Sequence, residues 1–185
     1  IPIVAAAGLI IAKTSSRAIT SPSGTADTME VLAPVDLSRE KIIEVVKKTN
    51  GCMVWGGALD LASADDRIIK IERVLSLDPE GMLLSSIMAK KKAVNADYVL
   101  IDIPVGEEAK FKTKRRAVKL KRKFIKLGRK LGMKVRVIIS NGEQPIGNGI
   151  GPALEARDVM SVLAGNGPND LKEKSVKIAG EIFSK

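Results

Sequence analysis

Histidine is absent from all 185 residues. Without an imidazole the chain cannot build a Ser-His-Asp or Cys-His nucleophile, and the commonest zinc ligand is missing. Cysteine occurs once, at Cys52, so no disulfide framework can form within the chain. Cys52 lies in the apolar run "CMVW", which suits a buried and inert thiol. Aromatic residues make up only 3%, which leaves Leu, Ile, Val, Ala and Met to form the core. The apolar opening "IPIVAAAGLIIAK" is too short to span a bilayer. It also lacks the basic leader and small-residue cleavage pattern of an export signal. These absences predict a cytoplasmic location with no membrane partner, and they make residues 1–13 a buried apolar helix of a larger protein, cut at its start.

Hydrophobic residues make up 45%, enough for one ordinary domain and too many for a disordered chain. The net charge of +10 is uneven. Fourteen of the 31 Lys/Arg fall between Lys110 and Arg136, where there is no acid; the remaining 17 face all 21 acids. The basicity therefore belongs to one segment. Within it Ala117, Leu120, Phe124, Leu127 and Leu131 recur at intervals of three and four, the signature of a helix with one buried face.

Elsewhere helical and extended patterns alternate. "LSREKIIEVVKKTNG" predicts a helix with Ser38 as N-cap and Gly51 just past its stop. "GCMVWGG" predicts a short buried strand. "SADDRIIKIERVL" opens with a capping-box-like Ser63-x-x-Asp66, and "DPEGMLLSSIMAKKKAVNA" has Asp78 at N-cap and Pro79 at N1. "DYVLIDIPVG" and "KVRVIISNG" fit strands covered on both faces, and two amphipathic helices close the chain. The pattern predicts an α/β fold, a largely parallel central sheet flanked by helices, in a single domain over residues 1–185.

In such sheets ligands bind beyond the carboxyl ends of strands and at helix N-termini. Several notable stretches fall at such places: "KTSSRAITSPSGTADTME", "GGALD", Asp78 with Ser85, Ser86 and Lys90 beyond it, and "DIPVGEEAK". Seven of the twelve residues Thr14–Thr25 carry a hydroxyl. Each stretch also has a plain alternative: a polar loop, a helix cap, a serine bonded back to its own helix, or a wet lysine run.

Their order carries a resemblance. "SSRAITSPSGTADTMEVL" resembles the signature of the thymidine/AMP phosphorylase family, with Ser15, Arg17, Gly24, Thr25, Asp27 and Glu30 on its S-x-R…G-T-x-D-x-x-E frame. "GGALDLASADDRI", "ERVLSLDPEGMLLSSIMAKK", "DIPVGEEAKF" and "IGPALEARD" follow in family order. The chain looks more like the archaeal AMP phosphorylase branch. Ser21 stands where the thymidine and pyrimidine-nucleoside branch has a histidine, and Val74 follows Arg73 where that branch has an Arg-Asp pair.

The resemblance implies a pentosyltransferase of nucleotide salvage: AMP plus phosphate gives adenine plus ribose 1,5-bisphosphate, with no cofactor beyond inorganic phosphate as co-substrate. It implies that Ser16, Arg17, Ala18, Ile19, Thr20, Ser21 and Thr25 surround the nucleotide and phosphates, and that Ser15 and Thr25 hold the attacking phosphate. It makes Asp78 the proton donor to the leaving base, Ser86 and Lys110 nucleotide contacts, and Lys90 a further candidate through the base. A helix N-terminus lowers the pKa of Asp78, opposite to what a proton donor needs; a purine nitrogen made basic by C–N cleavage, or a dry cleft, would offset this. The resemblance further implies that the N-terminal helical domain, an upstream glycine-rich phosphate loop and the C-terminal region lie outside this sequence. The 185 residues alone are then expected to have little or no activity, and the full-length protein to be a homo-oligomer.

Three rival readings remain at this point. One is a thymidine or pyrimidine-nucleoside phosphorylase. The second is a nucleic-acid-binding module through residues 110–136, disfavoured because no aromatic platform accompanies the charge. The third is an anthranilate phosphoribosyltransferase-like enzyme, which needs Mg²⁺ and an acid-rich motif not evident here.

Overall fold

A computed structural model describes residues 1–18, 22–58 and 80–184. The chain packs as two compact units, Ile1–Asp60 with Ile146–Lys185, and Leu61–Pro145.

In the first unit, α1 spans Pro2–Ala6 and β1 spans Ile11–Ser15. The expectation of one helix over residues 1–13 is thus corrected. Gly8 adopts φ +83, a left-handed conformation that interrupts a helix at little cost only in glycine. The residues after it then find a sheet partner. β1 runs parallel to β2 (Gly51–Trp55), from Ile11 opposite Gly51 to Ser15 opposite Trp55. Between them lie α2 (Thr25–Glu30) and α3 (Arg39–Thr49).

Ser38 caps α3 by accepting the Lys41 N–H at 3.3 Å, as its sequence predicts. The helix stops at the left-handed Asn50 (φ 59), and Gly51 lies just past that stop, as predicted, where it begins β2. A short 3₁₀ turn covers Gly56–Ala58. The unit is completed by α6 (Pro152–Leu163) and α7 (Asn169–Phe183).

The second unit holds α4 (Glu80–Ala93), β3 (Tyr98–Val105), α5 (Lys114–Lys130) and β4 (Lys134–Asn141). β3 and β4 are parallel, from Tyr98 opposite Lys134 to Val105 opposite Asn141. Val99, Ile101 and Ile103 alternate into a core with Val137, Met88, Leu120 and Phe124. That alternation puts one face of the pair on the helices, whereas the apolar runs predict burial on both. The basic helix behaves as its spacing predicts: Ala117, Leu120, Phe124 and Gly128 are buried, and Leu127 and Leu131 pack beside them. The helix predicted from Ser63 and the capping of α4 by Asp78 lie outside the described residues. Parallel strand pairs flanked by helices make this an α/β fold.

Candidate functional site

β1 and β2 are parallel, so Ser15 and Trp55 end on the same edge, where open α/β sheets bind ligands. The chain leaves β1 through Ser16, Arg17 and Ala18 and returns at Gly24 to start α2. One carboxylate ties the two passes together. Asp27 Oδ2 accepts the N–H of Ala18 at 2.7 Å and of Gly24 at 2.9 Å, and Asp27 Oδ1 accepts from Arg17 at 3.2 Å. The carbonyl of Ser16 accepts the Ala26 N–H at 3.4 Å.

At this crossing a Cβ on Gly24 would lie 2.6 Å from main-chain atoms of Ser16, Arg17 and Ala18. Nothing larger than glycine fits without moving the backbone. This is the physical content of the G-T-x-D spacing. Glycine permits the crossing, and the aspartate three residues later bonds back to it across the first helical turn.

Arg17 is spoken for on three sides. It forms a bidentate pair with Glu30, whose second contact is 2.7 Å, besides its bond to Asp27. Its guanidinium carbon lies 5.0 Å from the centroid of the Trp55 ring. The Glu30 pair raises the arginine pKa above its ordinary value. Asp27 is held below the usual carboxylate range by the Ala18 and Gly24 N–H groups and then by Arg17; Glu30 is lowered chiefly by its bond to Arg17. Arg17 is paired with two carboxylates, Asp27 and Glu30, so the donors left facing outward are exposed neutral hydroxyl groups such as Thr25.

A second layer backs the loop. Thr28 is 8% exposed and donates to Glu155 Oε2 at 2.8 Å. Ser23 Oγ lies 2.8 Å from Thr28 Oγ1, and Glu155 Oε1 accepts the Gly151 N–H at 3.1 Å.

The second unit carries the other candidates. Ser86 and Lys90 stand four residues apart on α4, on one helical face. Ser85 bonds back to the Met82 carbonyl at 3.1 Å, the plain alternative for that serine. Lys110 ends a tight loop after β3, closed by Gly106 N–H to the Phe111 carbonyl at 3.2 Å and by a Val105–Phe111 bridge. The structure thus brings Ser15, Ser16, Arg17, Ala18 and Thr25 together. It places Ser86, Lys90 and Lys110 in the other unit. Ile19, Thr20, Ser21 and Asp78 lie outside the described residues. Cys52 is buried, which pushes its thiol pKa up, as expected for an inert position.

A cleft of about 650 Å³, lined by Asn148, Arg157, Asp158 and Asn169 among others, holds none of these candidates. Among the described residues no group of three or more His, Cys, Asp or Glu is placed to hold a metal ion, and no helix is long and apolar enough to cross a membrane.

A model described as "Glycosyl transferase family, a/b domain" matches residues 1–158. The chain belongs to that family. Within it, a protein named "Putative thymidine phosphorylase" from Legionella pneumophila (strain Corby) is 56% identical over 182 residues, covering 97% of this chain and 35% of the relative. A protein named "AMP phosphorylase" from Pyrococcus furiosus is 56% identical over 181 residues, covering 97% and 36%. Another of that name, from Natronomonas pharaonis, is 50% identical over 183 residues, covering 99% and 37%. The chain spans about a third of the length of these curated relatives.

In this glycosyl transferase a/b-domain chain, sequence reasoning found the loop but passed over Trp55, Thr28 and Glu155. Trp55 left a signal, as the single tryptophan at a strand's carboxyl end. Glu155 left a weaker one, inside the "IGPALEARD" landmark. Its link to Thr28 crosses 127 residues, and no local pattern encodes it.

Proposed function

We propose that the protein carrying this chain is a nucleoside phosphorylase, and that AMP is its substrate: AMP and inorganic phosphate react to give adenine and ribose 1,5-bisphosphate. The observation that carries this reading is the loop closed by Asp27 at the carboxyl end of β1. It gathers Ser15, Ser16 and Thr25 around a main-chain crossing while pairing its own charges. Such a loop meets the chief need of phosphorolysis without a metal, namely neutral donors fixed in advance around phosphate oxygens. Arg17, engaged by two carboxylates and a ring, serves as the strut of the loop.

As the glycosidic bond breaks, the anomeric carbon becomes oxocarbenium-like and charge builds on the base. A proton or strong hydrogen bond from Asp78 offsets that charge. The 5′-phosphate anchors the nucleotide, so that binding energy remote from the reacting carbon orients the sugar. Ser86, Lys110 and Lys90 are assigned to contacts with the nucleotide. Ser21, in place of an imidazole, favours AMP over thymidine.

Product analysis on the full-length protein tests this reading with AMP, thymidine and phosphoribosyl pyrophosphate as alternative substrates. Phosphate-dependent release of adenine from AMP, with thymidine turned over far more slowly, is the expected result. Thymine release with AMP inert would transfer the protein to the pyrimidine branch. In the same protein Asp78→Asn is expected to lose most turnover while retaining nucleotide binding; unchanged turnover would remove Asp78 from the mechanism.

A further inference from the structure

The geometry points to Glu155 as a positioning residue for the phosphate loop, acting through Thr28 and Ser23. The inference rests on the proposal that this loop holds phosphate. The distances set the direction of the chain of bonds, since Thr28 lies 2.8 Å from Glu155 and 3.4 Å from its other acceptor, the Gly24 carbonyl. An ionised Glu155 only accepts, so the single hydroxyl proton of Thr28 goes to Glu155 Oε2 at 2.8 Å. Thr28 Oγ1 is then the acceptor in its 2.8 Å contact with Ser23, whose hydroxyl also reaches the Gly24 carbonyl at 3.1 Å and shares its proton between the two. Ser23 directly precedes Gly24, where the loop crosses itself, and Thr28 lies one turn beyond Thr25 on α2.

The other Glu155 oxygen accepts the N–H of Gly151, the N-cap of α6. One carboxylate therefore fastens the first turn of α6 to the hydroxyl side of the loop, as Asp27 fastens its main chain. Thr28 is buried, so a broken link there leaves a polar group that water does not readily satisfy. Bonds in series to an ionised acceptor also strengthen one another. The relay does not touch phosphate; it sets where the Gly24–Thr25 turn sits.

Two variants of the full-length protein test this, with AMP and inorganic phosphate as the probes. Thr28→Val keeps shape and breaks the middle of the relay; Glu155→Ala removes its end. Each is expected to raise KM for phosphate about tenfold, the scale of one buried bond to a charged group, with KM for AMP and kcat each changed less than threefold. Glu155→Gln, which keeps one acceptor oxygen, is expected to fall between wild type and Glu155→Ala.

Amide hydrogen exchange at residues 23–28 is expected to speed up in Thr28→Val while α3 is unaffected. A lowered melting temperature with an unchanged KM for phosphate would make the link merely structural and overturn the proposal, as would a KM effect from Glu155→Ala that Thr28→Val does not share. Wild-type protein inert toward AMP and phosphate would instead refute the functional reading. The exchange comparison would still decide the relay, since equal rates at residues 23–28 in wild type and Thr28→Val overturn it.

Discussion

Two residues define the candidate site, one by its charge and one by its lack of a side chain. Asp27 has a lowered pKa, caused first by the Ala18 N–H, then by the Gly24 N–H and by Arg17. A carboxyl lowered in the folded state stabilises the loop above its unfolded pKa of about 3.9, and that contribution is lost as pH falls through the folded value. The amide shifts of Ala18 and Gly24, followed by NMR, are therefore expected to stay constant from neutral pH down to about 4 and to move together below it. In Asp27→Asn that transition disappears. A midpoint at or above the ordinary carboxylate range would contradict the bonding seen here. Gly24→Ala is expected to weaken phosphate binding at least about tenfold, because the atoms its Cβ meets are main chain and cannot rotate away. Equilibrium binding of inorganic phosphate measures it. The sequence order alone marked these residues as a set. That Asp27 staples the loop to itself needed the folded distances.

Among the elements, α5 separates what periodicity can and cannot convey. Its apolar spacing predicted the buried stripe, and Leu120 and Phe124 are each 1% exposed. Leu120→Ala should cost about 2–5 kcal/mol and Phe124→Ala about 3–5 kcal/mol, read from urea unfolding of the second unit. The opposite face carries Lys and Arg without acids. Its first turn, Lys114 to Arg116, places cations at the end of the helix where the dipole disfavours them. Among the described residues the one ion pair α5 makes is Lys123 with Glu80.

Like charges spaced by three and four residues repel, so this helix is expected to gain stability as salt shortens the screening length from about 10 Å at 0.1 M to about 3 Å at 1 M. A melting temperature of the second unit that falls with added sodium chloride would count against this picture of a solvated face. The N-terminal segment shows the other limit. "IPIVAAAGLIIAK" has no period that separates a helix from a strand, and its outcome was decided by Gly8 and by β2, forty residues away.

At the scale of the molecule, the chain is a family a/b domain that covers about a third of its relatives' length. The proposed reaction draws on the hydroxyl loop and on Asp78, Ser86 and Lys110. The 185 residues alone are expected to turn over AMP far more slowly than the full-length protein; equal rates in a coupled adenine-release assay would show that these residues suffice.

The contact between Arg17 and Trp55 has a spectroscopic consequence. Trp55 is the only tryptophan in the chain, and the guanidinium at 5.0 Å makes its indole a neighbour of the loop strut. In this chain, tryptophan emission excited at the red edge comes from that one ring. If the loop holds phosphate as proposed, a displacement of Arg17 on binding would appear in the emission without any label, and the chain would be its own optical sensor of loop occupancy.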